Sequence, residues 1–94
     1  MANRTYFTVV VYDIVDNKRR ARVAKSLLGY GERVQYSGFE AHLTSKQLVT
    51  LTSKIKEMID EKEDRVRIYK IAGQPQVTVF GSIPLYEDEE FTII

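Results

Sequence analysis

The stretch TYFTVVVYDIV, residues 5–15, decides the fold. Both sets of alternate positions in it are apolar, and β-branched and aromatic residues predominate, which predicts a buried β-strand. One face carries Phe7, Val9, Val11 and Val15, and the other carries Tyr6, Val10, Tyr12 and Ile14. A strand that is apolar on both faces must be covered on both faces. We therefore expect this strand in the middle of a sheet with a layer on each side.

A helix and a bent hairpin are predicted to follow. Asp16 or Asn17 can cap the helix, whose apolar residues recur at helical spacing until GYG, residues 29–31, ends it. Gly31 suits the left-handed conformation that often follows a helix. The stretch RVQYSGFEAHL, residues 33–43, predicts a strand or a bent hairpin, with the bend at Gly38 because glycine inside a strand often marks a bulge.

The second half of the chain adds a helix and two strands. Thr44 and Gln47 lie three residues apart and predict a capping box, and the charged end of this helix is expected to be solvated. RVRIYKIA, residues 65–72, and QVTVF, residues 76–80, predict strands separated by the turn GQP. This order predicts an α+β, ferredoxin-like two-layer sandwich, β-α-β-β-α-β with an extra C-terminal strand.

Such a sandwich leaves one apolar face of the first strand without a cover. A second copy of this 94-residue chain is the simplest cover, which predicts a homodimer. The ferredoxin-like domain is expected to span residues 1–80. Residues 81–94 are expected to form an arm or strand that contacts a partner, because four acids separate two apolar groups there. The apolar residues of this arm are Ile83, Leu85, Tyr86, Phe91, Ile93 and Ile94.

Composition excludes several kinds of site. The chain has no cysteine, so it can form no disulfide, thiolate metal site or cysteine nucleophile, and His42 is the only histidine. Any metal ion would therefore be held by oxygen ligands or by His42, which favours a hard cation such as Mg²⁺ or Mn²⁺ over zinc. No apolar run is long enough for a membrane span or a signal peptide, so a soluble, cytoplasmic protein is expected.

Positive charge is concentrated near the first helix. Residues 1–47 have a net charge of +4 and residues 48–94 a net charge of −3, although the net charge of the whole chain is only +1. The run from residue 18 to residue 25 contains five basic residues and no acid, so no pairing within the helix neutralises them. Such a run is often only a solvated face, but it also matches the phosphate backbone of nucleic acid. The predicted nucleic-acid contacts are Lys18, Arg19, Arg20, Arg22, Lys25 and Arg33.

Asp13 is the candidate catalytic and metal-binding residue. It ends the first strand, where a carboxylate can leave the apolar layer and reach a cation. A lone Asp in that place is more often a turn residue, but a dimer would supply two such acids. Asp16 could be a second ligand, although capping suits it better. His42 is assigned a structural role, because the sequence shows no partners for acid-base chemistry.

The residues VVYDIVDNKRRARVAKSLLGYGERVQYSGFE, 10–40, resemble the CRISPR-associated protein 2 family. In that family the first strand ends in Asp followed by a hydrophobic residue, here Asp13 and Ile14. An Arg/Lys-rich helix follows, and then Tyr-Gly-x-Arg-Val-Gln leading into Ser-x-Phe-Glu, here residues 30–35 and 37–40. Gly38 stands where the family usually has an apolar residue.

The resemblance implies a homodimer that bridges two dimers of the spacer integrase and supports double-stranded DNA during spacer acquisition. It also implies that the Asp13 residues of two protomers face each other near the dimer axis and share one divalent ion in those members that are nucleases. In members of the family, the C-terminal segment docks on the sister protomer or on the integrase.

Two other classes of function stay open at this point. A family of toxin-like endoribonucleases has the same fold, and cleavage of RNA through Asp13 would then be the main activity. A small-molecule-sensing regulatory dimer is the other alternative, and it predicts a glycine-rich ligand loop that the sequence lacks. Whether the chain is a metal-dependent endonuclease is left open by its sequence.

Overall fold

Two helices pack on one face of a four-stranded antiparallel sheet. The structure, a computed structural model, describes residues 4–81. The elements are β1 Tyr6–Asp13, α1 Asn17–Leu28, β2 Glu32–Gln35, β3 Gly38–Leu43, α2 Ser45–Met58 and β4 Arg65–Ile71. The strand order is β2-β3-β1-β4. The predicted α+β two-layer fold is confirmed.

β1 lies inside the sheet and presents two different faces. On the helix side, Val10, Tyr12 and Ile14 are almost completely buried. On the other side Val11 is 43% exposed, whereas Phe7, whose ring lies against His42, is only 9% exposed. The buried partners of the helix-side residues are Val23, Ala24, Leu27, Phe39, Ala41, Leu43, Leu51 and Ile55. The predicted division of β1 into two apolar faces is confirmed, and one of them is open in the single chain.

The helix starts and the hairpin follow the local signals in the sequence. The Asp16 side chain caps α1 by accepting a hydrogen bond from the Arg19 N–H at 2.9 Å. Thr44 and Gln47 form both bonds of the predicted capping box, at 2.9 and 3.1 Å. The register of β2 against β3 shifts between residues 33 and 35, and β3 begins at Gly38, as expected of a bent hairpin.

Gly31 is needed for a different reason from the one predicted. Among the described residues only Gly73 and Gly81 have positive φ, so the left-handed assignment of Gly31 is wrong. α1 ends instead in a right-handed turn at Gly29, with φ of −76°. A Cβ atom at Gly31 would overlap the Glu40 carbonyl oxygen and the Ala41 Cβ on β3. The glycine therefore permits a close approach of two backbones.

Residues 76–80 do not form the predicted fifth strand in the single chain. Val77 and Val79 lie two residues apart, as on one face of a strand, and Phe80 follows them, but the three are 54%, 69% and 93% exposed. A strand needs a neighbour for its hydrogen bonds, and these residues pair with no strand of the described chain.

The six predicted contact residues of the arm, from Ile83 to Ile94, lie outside the described residues. Between residues 4 and 81, no helix has the length and apolar character required to cross a bilayer.

A buried carboxylate joins three parts of the chain. The Asp64 side chain is fully buried and accepts hydrogen bonds from the Arg19 Nε at 2.9 Å and the Val15 N–H at 3.0 Å. It also accepts from the Asp60 N–H at 2.9 Å and from the Arg19 Nη2 at 3.3 Å. We call this group the Asp64 cluster. It ties the β1–α1 turn to the segment before β4, and it shows that the charged end of α2 is not entirely solvated, contrary to the expectation from the sequence.

The Asp64 cluster depends on the ionised carboxylate. The Arg19 hydrogen bonds, with smaller help from the Asp60 and Val15 N–H groups, lower the pKa of Asp64 to about 2 against the opposing effect of burial. The same contact raises the pKa of Arg19 further above its ordinary value. Because the folded-state pKa of Asp64 is depressed, the stability it contributes is present above its ordinary pKa of 3.8 and is lost as pH falls towards 2.

Asp64→Asn should therefore destabilise the protein at neutral pH. The amide cannot accept all of the N–H bonds and leaves Arg19 without its buried partner, so we expect a melting temperature lower by roughly 10 °C. Thermal unfolding followed by circular dichroism from pH 7 to pH 2 measures this. The difference from the wild type should shrink below pH 4, where the Asp64 carboxylate of the unfolded chain begins to protonate while that of the folded protein stays ionised.

Glu63→Gln is the matched control. Glu63 pairs with the same Arg19 at 2.9 Å, but its side chain is 55% exposed, so its loss should change the melting temperature little. Equal losses in the two variants, or a difference that does not change with pH, would contradict the role given to Asp64.

Candidate functional site

Asp13 lies at the end of β1 on the sheet face that the helices leave open. Its neighbour across the β1–β4 pair is Arg65, and its side chain is exposed. Within residues 4–81 the Asp13 carboxylate takes part in no hydrogen bond or ion pair. It is therefore available to bind water or a cation.

Asp13 also lines a cleft of about 570 Å³. The other wall is the segment between α2 and β4, which the Asp64 cluster holds against the β1–α1 turn. Arg19 engages the carboxylates of Glu63 and Asp64, so Asp13 and Glu61 are the acids of this cleft without a partner in the described chain. The remaining lining residues are Ile59, Lys62, Arg65 and Val66.

One chain offers a small ligand set for a metal ion. No three His, Asp or Glu side chains between residues 4 and 81 come together in a way that could hold one. Asp13 supplies a single hard oxygen donor, whereas Mg²⁺ is usually held by one or two carboxylates plus water and substrate oxygens. A second carboxylate, supplied by a second copy of the chain, would complete a donor set that fits such an ion.

The open face of the sheet is mainly apolar at one end and charged at the other. Residues opposite each other in an antiparallel pair share a face, so Phe7, Val9 and Val11 of β1 lie beside Ile71, Tyr69 and Arg67 of β4. Their neighbours on β3 are His42, Glu40 and Gly38. Val11 is 43% and Tyr69 is 46% exposed in the single chain. This face has the composition of a surface that another layer covers.

Two of the predicted DNA contacts hold the turn after Asp13. Arg19 belongs to the Asp64 cluster. Arg20 donates from Nη2 to the carbonyl of Ile14 at 2.9 Å and to that of Val15 at 3.2 Å, and from Nη1 to the Asn17 side chain at 2.6 Å. Both guanidinium groups are therefore engaged within the chain, and they fix the backbone that positions Asp13.

Lys18, Arg22 and Lys25 are the members of the basic run that remain unpaired. All three are exposed on α1, and in the described part of the chain none of them has an ion pair or a side-chain hydrogen bond. Their spacing of four and three residues places them on one side of the helix. The basic run thus separates into two arginines that support the fold and three cations that face solvent.

Arg33 supports the β2–β3 hairpin. Its guanidinium donates to the Tyr36 carbonyl, with the Nε bond at 3.0 Å, and to the Tyr12 hydroxyl at 3.4 Å. It also lies over the rings of Tyr36 and Phe39, at 5.2 and 5.5 Å from their centroids. The structure places the Arg33 guanidinium in contact with its own hairpin and with Tyr12 of β1.

His42 and Asp16 have local contacts. The His42 ring lies on the open sheet face against Phe7, with 5.4 Å between ring centroids. Asp16 is the cap of α1, which confirms the capping role preferred for it.

Sequence reasoning missed two residues of this region. Asp64 was assigned to a charged, solvated segment, and its partner Arg19 is 45 residues away, so no periodic pattern could join them. Lys54 extends from α2 towards α1 and lies over the Tyr30 ring at 5.4 Å. Its position on the side of α2 that carries Leu51, Ile55 and Met58 was the available signal, because those residues face the rest of the fold.

Comparison with known proteins assigns the family. Residues 6–78 match the family described as CRISPR associated protein Cas2. The CRISPR-associated endoribonuclease Cas2 of Mycobacterium tuberculosis is 49% identical over 85 residues, which cover 90% of this chain and 74% of that protein.

Solved structures agree with this match. Streptococcus pyogenes Cas2, crystallised at pH 6.5, superposes with a TM-score of 0.71 and 34% identity, covering 80% of this chain and 99% of that one. A chain of a partial Cas6-RT-Cas1–Cas2 complex superposes with a TM-score of 0.63 and 27% identity, covering 85% and 99%. The free carboxylate at the end of β1, the four-stranded sheet and these matches lead to one conclusion: this chain belongs to the Cas2 family.

Proposed function

We propose that this protein is a dimeric scaffold of CRISPR adaptation, which bridges dimers of the spacer integrase and binds DNA in the cytoplasm. The observation that carries the proposal is the open sheet face, where Val11 is 43% and Tyr69 is 46% exposed in the single chain. A related chain is part of a complex named for Cas1 and Cas2, which supports the integrase as a partner.

A second copy of the chain would cover the open face. The face presents Phe7, Val9, Val11, Tyr69 and Ile71 as one apolar strip across β1 and β4. In a two-fold dimer the same strip packs on itself, so one surface supplies both halves of the interface. Asp13 lies at the end of this strip, and a two-fold axis near it would bring two carboxylates together.

DNA binding would use the outward helix layer of such a dimer. Lys18, Arg22 and Lys25 face solvent there and are suited to contacts with phosphate, which need charge rather than base recognition. Arg19, Arg20 and Arg33 stay predicted contacts, but each would have to give up or share a contact within the chain to bind a phosphate.

Metal-dependent cleavage of RNA or DNA is the second candidate function, because related chains are named endoribonuclease or endonuclease. Asp13 from each protomer would hold one Mg²⁺ or Mn²⁺ ion between them. A bound ion of this kind polarises a phosphate oxygen and lowers the pKa of a bound water. The chain's own contribution is the rigid turn that keeps the two carboxylates in place. We favour the scaffold, because no histidine lines the cleft beside Asp13 and no three acids between residues 4 and 81 are placed to hold a metal ion.

Val11→Asp should disrupt the dimer. Val11 lies where the apolar strip meets Arg67 and Asp13, and a carboxylate there would enter a two-fold interface twice and add to the two Asp13 charges, which should weaken association by about 100-fold or more. Light scattering on a micromolar sample measures the mass. Val49→Asp is the control, because Val49 is 66% exposed on α2 and lies outside the strip. A Val11→Asp protein that folds and keeps the dimer mass of the control would contradict the proposed interface.

Removal of residues 87–94 should separate partner binding from folding. These residues follow the last described element, so the helical signal in circular dichroism should stay within error of the full chain. Binding to the integrase, measured by pull-down with purified protein, should fall at least about tenfold if Phe91, Ile93 and Ile94 are buried in the contact. A truncated protein that is dimeric and binds the integrase as well as the full chain does would remove the arm from the proposal.

Asp13→Asn distinguishes the scaffold from the nuclease. The change keeps the size of the side chain and removes one negative charge, so the dimer, DNA binding and spacer integration in cells should stay near normal if the protein is a scaffold. Any Mg²⁺-dependent cleavage of labelled RNA or DNA should fall by orders of magnitude. Glu32→Gln, at the far end of the same sheet face, controls for loss of charge. A folded, dimeric Asp13→Asn protein that fails to support integration would overturn the preference for the scaffold.

A further inference from the structure

The groove between α1 and α2 carries positive charge from both helices. It has a volume of about 360 Å³ and opens on the outer surface of the helix layer. Its walls hold three cations and one acid. The lining residues are Arg22, Lys25 and Ser26 of α1 and Lys54, Glu57 and Met58 of α2.

The cations of this groove are not neutralised by the chain. Over residues 4–81, Arg22, Lys25 and Lys54 have no ion pair, and Glu57 pairs with none of them. The Lys54 ammonium instead lies over the Tyr30 ring, a contact that orients the charge without cancelling it. Three cations and the one carboxylate of Glu57 leave this small groove with net positive charge, so binding of an anion there would be favourable.

The donors of the groove suit a phosphate group. A guanidinium presents paired N–H donors in the geometry of two phosphate oxygens, and the lysine ammonium groups add charge without a fixed direction. Ser26, half buried on the wall, offers a hydroxyl donor. Lys18, Arg22 and Lys25 extend the positive charge along α1 for about 10 Å, from the groove towards the start of the helix, which matches a chain of phosphates better than a single anion.

We propose that this groove, through Arg22, Lys25 and Lys54, binds a backbone phosphate of duplex DNA and continues along α1 to Lys18. This inference rests on the proposed function as a DNA-binding scaffold and adds a site on α2. In this arrangement the phosphate is bound by Arg22, Lys25 and Lys54, which have no ion pair in the described chain, while Arg19 and Arg20 support the fold. Two sheets packed face to face would turn both grooves of the dimer outward.

A pair of matched double variants tests the groove. K25Q/K54Q removes one lysine from each wall, and K46Q/K56Q removes two exposed lysines of α2 that do not line it. Affinity for a short fluorescent DNA duplex of scrambled sequence is measured by anisotropy over a series of salt concentrations. K25Q/K54Q should bind at least about tenfold more weakly at low salt, with a salt slope shallower by about 0.9 for each phosphate that the variant no longer neutralises. K46Q/K56Q should stay within about twofold of the wild type, because distant surface charges are screened.

Lysine footprinting provides a second measurement on the unaltered protein. Saturating duplex should slow acetylation of Lys25 and Lys54 severalfold, as measured by mass spectrometry, and leave Lys46 and Lys56 unchanged. Equal weakening by both double variants, or a K25Q/K54Q slope equal to that of the wild type, overturns the groove while DNA binding itself stands. A wild-type protein that binds no duplex at low salt overturns the DNA-binding part of the proposed function and the groove with it.

Discussion

The contact between Asp64 and Arg19 is the constraint on which the candidate site depends. One buried carboxylate accepts N–H groups from the β1–α1 turn, from α1 and from the segment before β4, so three parts of the chain that are distant in sequence are fixed at one point. Arg20 holds the carbonyl side of the same turn. Asp13 directly precedes this turn and is exposed, yet its backbone is surrounded by groups that cannot move independently. A side chain without partners on a rigid backbone is what binding of a shared ion or a partner surface requires.

The second constraint is the position of β1 inside the sheet. Its helix side is filled by residues of both helices and of β3, which together form the core of the single chain. Its other side is also apolar towards Phe7, but Val11, nearer Asp13, is 43% exposed. The same strand therefore serves the core with one set of alternate residues and, in the proposed dimer, would serve association with the other. In that dimer, a change on the open side would affect assembly while the core stays intact.

The sequence predicts those features that depend on local pattern. Helical spacing of apolar residues and capping residues predicted both helices, and runs of β-branched and aromatic residues predicted the strands of the sheet, because these signals act within a few residues. Gly31, Asp64 and residues 76–80 show where such reasoning ends. The need for Gly31 arises from β3, the burial of Asp64 from an arginine on α1, and a strand over 76–80 would require an edge that the single chain does not provide. The place of Asp13 at the end of β1 was predictable, because the end of the apolar run is visible in the sequence.

The basic run shows why a charge pattern cannot assign roles one residue at a time. Five cations in eight positions look equivalent in the sequence, but a helix of 3.6 residues per turn points them in different directions. Arg19 and Arg20 are directed to the first turn, where an acid and several carbonyls are available, and their long planar groups satisfy several acceptors at once. Arg22 and Lys25 are directed towards α2, where Lys54 adds charge and no acid of the described chain pairs with them. The surface that can attract a polyanion is therefore set by which cations lack acceptors in the fold, and in this chain it spans two helices.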